Sequence, residues 1–63
     1  MDGKKLPTRL RAAREKAALS QSQFAKKYDL SIHTLQSWEQ GKYVPRGLAA
    51  KELDRILSRI LKD

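Results

Sequence analysis

The chain has 63 residues, 14 lysines and arginines against seven acidic residues, a formal charge of +7, and no cysteine. That length allows one domain with one small core, and the lack of cysteine excludes both a disulfide framework and a thiolate metal site as its source of stability. The carboxylates, at positions 2, 15, 29, 39, 52, 54 and 63, are scattered rather than paired for acid–base chemistry, so the sequence argues against an enzyme, while the excess of positive charge suits a polyanionic partner.

Residues 1–6, with Gly3 and two lysines, read as a flexible basic arm, either a disordered start or a contact for phosphates. The opening MDGKKLPTRLR has no apolar stretch of the kind a secretory signal carries, and no apolar run nears the ~18 residues that span a bilayer. A soluble, cytoplasmic protein is the expectation. Residues 7–63 form a single domain. Pro7 suits a first helical turn, and Thr8 to Ala18 follows with Leu10, Ala13 and Ala17 at i, i+3 and i+7, which predicts a first amphipathic helix.

Ser20 followed by Gln23 makes a capping box that opens a second helix, with Phe24, Ala25 and Tyr28 on its inner face. This helix ends near Tyr28, where Asp29 is a residue type that tolerates the left-handed backbone of a tight turn. Ser31 caps a third helix that buries Leu35 and Trp38, carries Ile32 at its lip and stops at Gly41. GKYVPRG is then a loop. From about residue 46 to 62 a fourth helix sets Ala49, Leu53, Ile56, Leu57, Ile60 and Leu61 in a stripe ~140° wide, more than one small core needs. Apolar and polar residues nowhere alternate over a useful length, so the fold class is all-α.

Two short helices joined by a turn of about three residues are a helix-turn-helix unit, here residues 20–40. The third helix carries an unusual stripe. His33, Gln36, Ser37 and Gln40 recur at i, i+3, i+4 and i+7, polar yet uncharged in a chain rich in charge. Standing alone, such a face reads as a solvated one. In a helix-turn-helix it reads as a surface for base edges in the major groove, because amides and hydroxyls both donate and accept. Gln36 is the foremost candidate, since glutamine pairs bidentately with adenine, and Ile32 can pack on a thymine methyl. Lys42 and Arg46 flank the helix and suit phosphates, whereas Lys26 and Lys27 read as solubilising. His33 is not expected to hold zinc, because no second ligand lies three or four residues away. No cofactor is expected. Trp38 is in phase with Leu35 and points inward; Tyr43 is open between packing and a phosphate hydrogen bond.

The stretch LRAAREKAALSQSQFAKKYDLSIHTLQSWEQGKYVP resembles the phage-repressor and Cro-like, or XRE-type, helix-turn-helix family. The likeness rests on LR..R near its start, LSQ opening the second helix, a phenylalanine–alanine pair and WEQGK closing the third. It implies a lambda-repressor-like DNA-binding domain of four helices, or five. It also implies that Gln21 binds a phosphate and braces the recognition helix, with Ser22 beside it. On the same resemblance Ile32, His33, Gln36 and Ser37 face bases, Lys42 contacts the DNA backbone, and Arg14 and Glu39 form an ion pair; the reading of the residues themselves adds Gln40 to the base-facing stripe and Arg46, with Tyr43 as the open case, to the phosphate contacts. Three departures stand out. Ala18 and Asp29 occupy positions where the family favours glycine, and one long helix replaces two short ones after Pro45, an ending more like compact regulators and helix-turn-helix antitoxins.

The expectation is therefore a sequence-specific regulator of transcription, a repressor on double-stranded operator DNA in a bacterial cytoplasm or nucleoid. The alternative is an antitoxin or adaptor that holds a toxin or another protein. One recognition helix reads few base pairs, so a weak homodimer stabilised on two-fold symmetric DNA is expected. Leu57, Ile60 and Leu61 offer either that dimer contact or closure of the core against Leu10 and Phe24. A membrane-surface role fits poorly, because the charges of the last helix are mixed in sign.

Overall fold

The computed structural model describes residues 6–62. Four helices follow one another: α1 (Leu6–Ala17), α2 (Gln21–Lys27), α3 (Ile32–Gln40) and α4 (Gly47–Leu61). The described residues include no strand and no fifth helix. Of the expected basic arm, positions 1–5 lie outside the described residues, and Leu6 belongs to α1 rather than to the arm. α1 packs on α3 and α4, and α2 packs on α3.

The helix starts follow local chemistry. At α2 the Ser20 hydroxyl accepts from the Gln23 backbone N–H at 3.1 Å, and the Gln23 side chain accepts from the Ser20 N–H at 2.9 Å. Two otherwise orphaned donors are thereby satisfied. At α3 the Ser31 hydroxyl accepts from the N–H groups of His33 and Thr34.

The first three helix ends share one device. The backbone turns left-handed at Ala18 (φ 59°), Asp29 (φ 58°) and Gly41 (φ 78°). In each case the next N–H reaches back five residues: Leu19 to the Arg14 carbonyl at 2.9 Å, Leu30 to Ala25 at 2.7 Å and Lys42 to Ser37 at 3.0 Å. This is the 6→1 bond of a Schellman ending, which glycine forms without a Cβ penalty. Asp29 is a tolerated substitute, but Ala18 is not, so the departure noted at position 18 is a strained turn held by its surroundings. Ala18→Gly should therefore raise stability by about 1 kcal/mol, read as a higher urea midpoint at unchanged slope. A lower midpoint would show that the extra freedom of glycine in the unfolded chain outweighs the relieved strain.

The core is Leu10 and Ala13 from α1, Phe24 and Ala25 from α2, Leu35 and Trp38 from α3, and Leu53 and Leu57 from α4. Phe24 and Tyr28 meet one turn apart with ring centroids 4.7 Å apart and planes tilted by 50°. Two expectations for α4 are corrected. Ala49 is exposed and has no part in the inner face; Ala50 beside it is half-buried. Leu57 is wholly buried, so it closes the core of the single chain and is unavailable as a dimer contact. The reason lies in the phase of α4. Leu53 and Leu57, one turn apart, lie near the centre of the apolar stripe and face α1, whereas Ile56 and Leu61 lie on its margins and Ile60, though near its centre, sits in the last turn of the helix; all three are only half-covered. Across the same contact Arg9 pairs with Asp54 at 3.0 Å and donates to the Ser58 hydroxyl at 3.4 Å.

Candidate nucleic-acid interface

One side of α3 is locked inward and the other is open. Leu35, Trp38 and Glu39 are buried, and Glu39, at 5% exposure, is the buried charged residue of the described core. A carboxylate in such a place must be fully paired or it destabilises the fold. Arg14 supplies the pairing in a forked contact, Nε to Oε2 at 2.6 Å and Nη2 to Oε1 at 3.0 Å. Gln21 adds a third donor, Nε2 to Oε1 at 3.1 Å. Arg14 Nη1 also donates to the Leu19 carbonyl at 3.3 Å, and Arg11 Nη1 donates to the Glu39 carbonyl at 3.0 Å. The C-terminal end of α3 is thus tied to α1, to the α1–α2 turn and to the first residue of α2. Desolvation offsets much of the Coulomb attraction, so the pair acts chiefly to fix the orientation of α3 against the two helices before it.

On the open side His33 and Gln40 are exposed, while Gln36 and Ser37 are half-buried at the two margins. Counting ~100° per residue from Ile32, Gln36 falls near 40° and Ser37 near 140°, with His33 and Gln40 between them. Gln36 lies on the margin next to α2, where its Nε2 donates to Gln21 Oε1 at 3.4 Å. Ser37 lies on the other margin, lining a shallow open depression with His33, Thr34, Trp38 and Tyr43. Ile32 is half-buried against the core and leaves part of its side chain at the end of the same face. Ser22, Lys42 and Arg46 are exposed, and the Arg46 guanidinium plays no part in capping α4. Tyr43 is 67% exposed, which places it at the rim of the depression and outside the core. Among the described residues no group of three or more histidines, cysteines or carboxylates could hold a metal ion, and no helix is long and apolar enough to cross a membrane.

The structure brings Ile32, His33, Gln36, Ser37 and Gln40 onto one continuous surface, and it joins Gln21 to that surface through Gln36. Two short helices joined by a tight turn, with the outer face of the second left open, have the geometry of a helix-turn-helix unit. The family model of the helix-turn-helix domain matches residues 6–59. The chain belongs to that family. Comparison with curated proteins and with solved structures returned no match. The all-helical domain is consistent with the XRE-type resemblance carried by its motifs, and family membership supports a DNA partner.

Sequence reasoning missed two contributors to this helix-turn-helix surface. Thr34 lines the depression beside Ser37, though it falls outside the strict i, i+3, i+4, i+7 stripe. Arg11 donates to the Glu39 carbonyl in the last turn of α3; its signal was its place three residues before Arg14, on the same face of α1.

Proposed function

We propose that this domain is a sequence-specific regulator of transcription that binds double-stranded DNA, with α3 in the major groove, and represses by occupying an operator. It works by binding and carries out no reaction. The observation that carries this reading is the face of α3 itself: five neutral side chains, Ile32, His33, Gln36, Ser37 and Gln40, none of them in the buried core. A phosphate-binding face would be studded with lysine and arginine; a neutral one with donors and acceptors suits base edges. Lys42, Arg46, Tyr43, Ser22 and Gln21 border it and supply the backbone contacts that set its register. An operator places the protein in the cytoplasm or nucleoid of its cell.

The working form is a homodimer on two-fold symmetric DNA. The domain measures 25 × 24 × 19 Å, against ~34 Å between the centres of successive half-sites, so two copies side by side on DNA have little surface to share. A contact that small favours association on DNA over association in solution. Ile60 and Leu61, half-covered at the end of α4, are the candidates for that contact, without the buried Leu57. An antitoxin-like or adaptor role would use the same fold for protein contact, and no observation favours it over DNA.

Selection of duplexes from a random pool, followed by binding measurements on Gln36→Ala, tests the reading. The variant should lose about 1–3 kcal/mol on the preferred duplex and relax the base preference at one position. Equal weakening on every duplex would defeat the assignment of Gln36 to a base. Failure to select any duplex would defeat the reading altogether.

A further inference from the structure

We propose that the buried Arg14–Glu39 pair acts at a distance on base choice, by fixing through Gln21 which way round the Gln36 amide faces. This inference rests on the assignment of Gln36 to a base and adds a specificity-determining role for three residues that need not touch one.

A glutamine amide can turn over about its last torsion, exchanging a donor for an acceptor at little energetic difference. Here it cannot. The Glu39 carboxylate accepts on both oxygens, and Arg14 holds it in place through its forked contact. Gln21 must therefore present its NH₂ group to Glu39, as its 3.1 Å contact shows. That choice turns the Gln21 carbonyl oxygen toward α3, where it accepts from Gln36 Nε2 at 3.4 Å. An overturned Gln36 would set its own carbonyl against that of Gln21, two acceptors face to face. The polarity of a buried charge is thus handed along two half-buried amides to the edge of the reading surface.

The consequence is a fixed order of groups on Gln36. One Nε2 hydrogen is committed to Gln21, which leaves one N–H and the carbonyl oxygen for DNA. Adenine offers the complement, an acceptor at N7 and a donor at N6. Guanine offers two acceptors, N7 and O6, and would face the locked carbonyl with a second oxygen. A free amide could turn its NH₂ group to guanine; the locked one cannot. Arg14, Glu39 and Gln21 are in this sense positioning residues for adenine over guanine.

Gln21→Met tests the idea, because it removes the relay while leaving the Arg14–Glu39 pair, and with it the fold, intact. In the free protein the side-chain amide resonances of Gln36 should move toward those of an exposed glutamine. On DNA, at the position whose preference Gln36→Ala relaxes, Gln21→Met should reduce the adenine-over-guanine ratio about tenfold. A loss of affinity equal on all duplexes would mark Gln21 as a phosphate contact only and overturn the relay. So would unmoved Gln36 amide resonances, or guanine preferred by the unaltered protein at that position. If Gln36→Ala relaxes no position, the base assignment itself fails, and the resonance shift in Gln21→Met then reports whether the amide relay exists without it.

Discussion

Glu39→Ala should cost the domain about 3 kcal/mol or more, a large share of the roughly 3–9 kcal/mol expected for a chain this short. The loss has two sources. Arg14 keeps its charge in a site where its side chain is only 17% exposed, with its main partner gone, and Gln21 loses the acceptor for its NH₂ group. Arg14→Ala should be comparably damaging, because it strands the Glu39 carboxylate, whose side chain is 4% exposed. The double replacement by methionine should cost less than either single change, since apolar side chains of similar volume remove both desolvation penalties at once. Urea unfolding of the three variants, with slopes compared to confirm two-state behaviour, measures this directly. Single variants that each fall within about 1 kcal/mol of the parent would mean that water reaches the pair and that it fixes nothing.

The same pair shows what could be read from residues in order and what could not. Arg14 and Glu39 were legible as partners only through the family resemblance, since nothing local links positions 25 residues apart. The helix ends were legible from chemistry alone, because Ser20 with Gln23, and Ser31 with Gly41, act within one turn of themselves. Gln21 was half-legible. The family resemblance marked it as a brace, but the geometry that sets one amide group against Glu39 and the other against Gln36 depends on three helices meeting. The stripe of α4 gave a face without naming what covers it, and so left Leu57 open between a core and a partner. Ala49 fell on the nominal apolar side because periodicity weighs an alanine like a leucine, although the packing against α1 is carried by Leu53 and Leu57 further along.

Leu57→Ala turns that last distinction into a measurement. A leucine with no exposed surface, seated between α4 and the helices it covers, leaves a cavity when truncated, and the cost is about 2–5 kcal/mol depending on how far the walls collapse. Leu57 shares one small core cluster with Leu10 and Phe24, themselves fully buried, so there is little slack for relaxation and the upper half of that range is expected. The corresponding fall in Tm is at least about 10 °C. A core residue acts on each chain separately, so the fall should be the same at dilute and at concentrated protein, without DNA. An interface residue behaves otherwise: the parent's Tm would itself rise with concentration, and the variant would forfeit that rise. Leu61→Ala is the control, because a half-covered side chain on the margin of α4 should lose well under half as much. A concentration-dependent gap between Leu57→Ala and the parent would move Leu57 out of the single-chain core and restore it as a dimer contact.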